Sequence, residues 1–167
     1  MNDLEPPDSH HLHAAVGWLE LANWQEANEE LEKIAPTLRA HPDVLEVRCA
    51  IYAKAERWSV VLDIAKAIIT LAPERAFGWI HSANALHHLK RTEEARHTLV
   101  GILNRFRNDW LVRFNLACYE CQLGNQAAAW ACLAEAFELG DAKAVKLLAL
   151  NAYDLEPFWK HIGGFKH

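Results

Sequence analysis

A 34-residue beat runs through this chain and limits what it can fold into. Stepping forward from Ala27 gives Val61, Ala95 and Ala129. The same step from Leu31 gives Ala65, Leu99 and Leu133, and from Ile34 it gives Ile68, Ile102 and Ala136. From Ala15 it gives Cys49, Ala83 and Ala117. Small or aliphatic residues thus return at fixed phase in four successive units, with no insertion. A unit of this length cannot bury its apolar face alone and must stack on its neighbours. The expected fold is all-α, a right-handed α-solenoid of antiparallel helix pairs.

Helical periodicity is strong, and neither alternating apolar-polar runs nor an Asn-Gly hairpin turn occurs. Asp8 or Ser9 should cap a first helix that ends near Leu21. A second runs from about Trp24 to Ala35, limited by Pro36, and residues 37–41 form a loose connection. Pro42 opens a third helix to about Glu56. A fourth runs from Trp58 to Leu71, ahead of Pro73, and a fifth from about Arg75 to Leu89. Thr92, followed by Glu93 and Glu94, reads as cap and acidic first turn of a sixth reaching Phe106. Asp109 caps a seventh that closes at Gly124, a natural left-handed position. The eighth spans Gln126 to Leu139, and Asp141 caps a ninth to Asn151. Residues 155–161 read as one more short helical turn that docks back on the last unit, with Trp159 as the alternative contact for a partner.

The spacing within each unit resembles the tetratricopeptide repeat. In the third unit Trp79, Ala83 and Leu86 match helix A, and Ala95, Leu99 and Ile102 match helix B. The second matches at Leu45, Cys49, Tyr52, Trp58, Ile68 and Pro73. The fourth matches at Leu116, Ala117, Gly124, Ala129, Leu133 and Ala136. The first matches at Ala15, Trp18, Trp24, Ala27, Leu31 and Ile34, with His11 and Ala14 in place of the bulky pair. The resemblance covers residues 8–141 and sets repeats at 8–41, 42–75, 76–109 and 110–141. A flexible segment (1–7) precedes them; capping helices (142–162) and a tail (163–167) follow. Lys143 and Lys146 suit the polar outer side of a cap.

The resemblance implies that the A helices line a concave groove for another protein. In the second unit it would be lined by Asp43, Glu46, Ala50, Ala53 and Lys54. The third unit supplies Phe77, Ile80, His81, Asn84, His87 and His88. The fourth supplies Leu111, Phe114, Asn115, Cys118, Cys121 and Gln122. Asn84 and Asn115 fall where peptide-binding members keep asparagines, and a primary amide satisfies a peptide unit as donor and acceptor without adding charge. Ile80, Val145 and Ala149 stand where basic residues for a C-terminal carboxylate belong. An apolar or helical segment over Phe77, Ile80, Leu111 and Phe114 fits better.

Composition narrows the alternatives. Net charge is -5 with no basic patch, so neither nucleic acid nor an anionic membrane is an expected partner. No apolar run approaches the roughly 18 residues needed to span a bilayer, and no signal peptide is visible, so a cytoplasmic setting is expected. The four cysteines lack disulfide-framework spacing and read as reduced thiols. Cys118 and Cys121 lie one helical turn apart and, with His87 or His88, form the alternative of a zinc or redox site. The groove histidines His81, His87 and His88 carry a further alternative, a pH-responsive surface. No glycine-rich phosphate loop, nucleophile elbow or His-Glu-x-x-His occurs, so neither catalysis nor a cofactor is expected. The expected role is a protein-interaction adaptor. The alternative is a small chaperone similar to those of bacterial type III secretion, which often self-associate as homodimers.

Overall fold

In the computed structural model, which describes residues 4–163, every described element is helical. The α-helices are α1 (Asp8–Glu20), α2 (Trp24–Glu32), α3 (Pro42–Lys54), α4 (Trp58–Leu71), α5 (Ala76–His88), α6 (Thr92–Val100), α7 (Trp110–Gln122), α8 (Gln126–Leu139), α9 (Ala142–Asn151) and α10 (Trp159–Gly163). Two 3₁₀ helices, Pro36–Leu38 and Tyr153–Phe158, complete the set. The expected segments 1–7 and 163–167 lie partly outside the described residues.

The chain divides into two compact units, residues 1–85 and 86–167, with the boundary inside α5. In the first, α1 packs on α2, α2 on α3 and α3 on α4, with α1 also touching α3. Gly78 brings α5 close to α4, where a Cβ would stand 3.0 Å from both Ile68 Cγ2 and Ile69 Cγ1. In the second, α6 packs on α7, α7 on α8 and α8 on α9.

The periodic columns are the core of each unit. Ala15, Cys49, Ala83 and Ala117 are fully buried, as are Ala27, Val61, Ala95 and Ala129. Leu31, Ala65, Leu99 and Leu133 are buried too, followed by Ile34, Ile68, Ile102 and Ala136. Small residues let two helix backbones approach, and the larger aliphatics fill what remains.

The turns repeat as faithfully as the core. Ala22, Glu56, Lys90 and Gly124 adopt left-handed backbone, with φ of 58°, 55°, 65° and 82°, and they stand 34 residues apart. The next amide (Asn23, Arg57, Arg91 or Asn125) donates five residues back, to Trp18, Tyr52, Leu86 or Glu120, at 2.8–2.9 Å. The left-handed residue itself donates three back, to Leu19, Ala53, His87 or Cys121. Each first helix therefore ends in a Schellman turn, which satisfies carbonyls left open by the helix terminus.

Several expected boundaries shift. Asp8 does not cap α1; its carboxylate accepts from Ala35 N at 2.7 Å, far along the chain. Thr92 is not a side-chain cap either, because Arg91 takes that position and the Thr92 hydroxyl lies 3.0 Å from His87 Nδ1. Helix α6 stops at Val100 rather than near Phe106. Gly101 is a weak helix former there, and Ile102, Leu103 and Arg105 donate to carbonyls three residues back. Helix α3 ends at Lys54 because Glu56 is left-handed. Part of the expected loose connection is a 3₁₀ turn started by Pro36. The caps Asp109 and Asp141 accept as expected, from Leu111 N and Val112 N and from Ala144 N.

Candidate functional site

Helix α5 carries the candidate residues Phe77, Ile80, His81 and Asn84 in the first unit and His87 and His88 in the second. Phe77 stacks on His81 with ring centroids 4.0 Å apart. Burial pushes the His81 pKa down to about 4, so the ring is neutral at physiological pH. Asn84 is half-buried, and Ile80 is only 7 % exposed. At the C-terminal end of α5, in the second unit, His87 is partly buried and His88 exposed.

In the first unit, the second-repeat positions Asp43 and Glu46 are already engaged. Arg75 Nη1 donates to Asp43 at 2.5 Å and to Glu46 at 3.1 Å. Ala50 and Ala53 are half-buried and Lys54 exposed. That stretch of α3 offers a partner little beyond small side chains and one cation.

Helix α7 carries Leu111, Phe114, Asn115, Cys118, Cys121 and Gln122, all in the second unit. Leu111 and Gln122 are exposed, and Cys121 is partly so. Asn115 turns its amide nitrogen toward its own helix, with Nδ2 donating to Leu111 O at 2.8 Å. Phe114 and Cys118 are buried, 7 % and 5 % exposed, and Phe114 lies edge-on to Trp110 at 6.5 Å. Ile80, Phe114 and Cys118 are therefore withdrawn from the surface expected to expose them. A helix inside a stack buries more than one stripe, and the bulky apolar residues take the buried ones.

Burial pushes the Cys118 and Cys121 thiols up, which favours the protonated thiol over the thiolate in the metal-free chain. Both ring nitrogens of His87 are occupied, Nδ1 by the Thr92 hydroxyl and Nε2 by Asp154, each at 3.0 Å. No cluster of three or more His, Cys, Asp or Glu suited to a metal occurs among the described residues. All four cysteines are free thiols.

Three features were missed from sequence. Glu120, buried on α7, pairs with Arg96 Nε at 2.6 Å and with Asn125 Nδ2 at 2.7 Å. Its place in an otherwise apolar run was the only signal. The outer side of α9 carries Leu147, Leu148 and Leu150, which are 66 %, 43 % and 36 % exposed, beside the expected Lys143 and Lys146. Residues 153–163 dock as expected but hold Asp154 against His87, which no spacing rule indicates.

No described helix is long and apolar enough to cross a membrane. No protein-family model matches the chain, and no curated protein matches its sequence. Solved structures do. The chain is similar to TTC0263, described as a thermophilic TPR protein in Thermus thermophilus, at 16% identity and a TM-score of 0.77, covering 93% of this chain and 83% of that one. It is also similar to MamA (41-end) from Desulfovibrio magneticus RS-1, at 12% identity and a TM-score of 0.69, covering 97% and 94%. MamA of MSR-1 is similar at 19% identity with a TM-score of 0.62, covering 80% and 76%. At such identities the likeness is one of fold, and it agrees with the buried 34-residue columns and the repeated turns: the chain has the tetratricopeptide-repeat fold.

Proposed function

We propose that the protein is an interaction module without catalytic activity, which holds a peptide or helix of another protein against its first-position helices. The observation behind this reading is the division of labour along each repeat. The periodic columns are wholly committed to the core, while α5 and α7 keep polar and aromatic side chains that no repeat position requires. Phe77, His81, Asn84 and His88 on α5, and Leu111, Asn115 and Gln122 on α7, are the contact residues in this reading. Asn84 and Asn115 orient the ligand backbone and the apolar neighbours supply contact area. A cytoplasmic setting belongs to the same proposal.

Affinity capture from the native lysate with wild type and an Asn84→Ala/Asn115→Ala variant tests it. A partner held by wild type and lost by the variant supports these faces. A partner held equally by both moves the site elsewhere. The exposed leucines of α9 favour a second reading, a self-associating chaperone. A concentration-independent monomer in sedimentation would remove it.

A further inference from the structure

Within the second unit, α7 is covered along one side by the chain's own C-terminal segment. The 3₁₀ helix Tyr153–Phe158 packs on α7, and α10 packs on α9. Leu155 and Ile162 are fully buried. The Phe158 ring lies 5.3 Å from Trp130, and Trp159 Nε1 donates to Ala149 O at 2.9 Å. The Asp154 carboxylate sits 3.0 Å from His87 Nε2, and the His87 ring lies 5.0 Å from Tyr119. The Thr92 hydroxyl lies 3.0 Å from Nδ1, so both ring nitrogens have partners. The charge on Asp154 helps to raise the pKa of Cys118, Tyr119 and Cys121, which places it over the side of α7 that carries the two cysteines.

We propose that residues 152–163 form a releasable strap over α7, clipped by Asp154 to His87, whose lifting presents that side of α7 to a partner segment carrying an acidic residue followed by a bulky aliphatic one. The strap's own Asp154-Leu155 pair shows the chemistry the surface accepts. Three observations favour release over permanent packing. The clip is a polar contact between partly exposed side chains, at 17% and 26%. The clip's partner is an imidazole whose ring lies 5.0 Å from the Tyr119 ring, a polar neighbourhood closer to a transient interface than to a core. The strap begins as a 3₁₀ helix interrupted by Pro157, with poorer internal hydrogen bonding than an α-helix. The partner half of the proposal rests on the reading of the first-position helices as binding faces.

The test is the rate of N-ethylmaleimide labelling at each cysteine of the full-length protein, read by peptide mass spectrometry. His87→Ala, which leaves the Asp154 charge in place, should raise labelling of Cys118 by about tenfold, the effect of losing one charge-assisted hydrogen bond, and Asp154→Ala, which also removes the charge that holds the thiol up, should raise it at least as much. Asp154→Asn removes the same charge but keeps an acceptor for His87, so it should raise labelling less than Asp154→Ala. Cys49, fully buried in the first unit, should not change. Unchanged Cys118 labelling overturns the strap. So does a parallel rise at Cys49, which reports general unfolding. A synthetic peptide of residues 152–163, added to Asp154→Ala protein, should restore protection, and the same peptide with alanine for its aspartate should not. Labelling that rises but is not reversed by the peptide overturns the partner chemistry. The capture with the asparagine variant reports on the binding faces independently of either result.

Discussion

The left-handed turn residues give the sharpest test of the architecture, because one backbone position is occupied by four different side-chain situations. A non-glycine residue in left-handed conformation costs about 1–2 kcal/mol. Glycine offsets part of that advantage, since its unfolded chain loses about 0.4–1 kcal/mol more entropy on folding. The net preference for glycine is therefore about 1 kcal/mol. Gly124 already has it, and a Cβ there would meet nothing within 4 Å, so Gly124→Ala isolates the backbone term. It should cost about 1 kcal/mol and lower Tm by about 2–4 °C. Ala22, Glu56 and Lys90 are exposed, so replacing them with glycine removes no packing. Each replacement should stabilise by about 1 kcal/mol, and Ala22→Gly/Glu56→Gly by about 2 kcal/mol, since well-separated sites add. Urea and thermal unfolding of wild type and these variants decide the matter. A neutral Gly124→Ala together with a destabilising Ala22→Gly would show that the turns are not left-handed and that the repeat geometry is misread.

Three further outcomes follow from individual contacts. Gly78→Ala places its Cβ 3.0 Å from two isoleucine side chains and 3.1 Å from Ile69 N, so it should cost about 1–3 kcal/mol; a Tm indistinguishable from wild type would contradict the packing. His81 has a folded pKa lowered to about 4 from an ordinary 6.5, so its contribution is complete above pH 6.5 and is lost as pH falls toward 4. Wild type should lose about 2–3 kcal/mol across that window relative to His81→Gln, and parallel urea-midpoint profiles for the two proteins would refute the burial argument. Arg96→Leu removes the cation beside the buried Glu120 carboxylate while Asn125 stays in place, and it should cost about 2 kcal/mol. Adding Glu120→Leu should restore much of that loss, and a double-mutant cycle with no coupling would show the pair to be inert.

How much of this was legible before folding depends on how local the physics is. Trp58–Leu71, Gln126–Leu139 and Ala142–Asn151 agree with the sequence reading at both ends, because Asp141, Pro73 and Gly140 punctuate the chain within a turn of the boundary. The buried columns were equally legible, since a residue that must fit between two close backbones returns as Ala, Leu or Ile at nearly every period. The candidate face was legible only as a set of positions. Sequence named Phe77, Asn84, Leu111 and Asn115, but it also named Ile80, Phe114 and Cys118, because a helical period marks stripes without saying which stripe a neighbouring element covers.

The sequence by itself determined the repeat length, the paired helices of each repeat and the small-residue seams, all of which follow from short-range propensity and the 3.6-residue period. Only the tertiary structure decided the left-handed state of Ala22, Glu56 and Lys90, which the packing of paired helices imposes against local preference. It also decided the meeting of His87 with Asp154, sixty-seven residues away, and of Arg96 with Glu120. Such contacts join side chains whose proximity is set by how rigid helices stack, and no local pattern in the chain carries that distance.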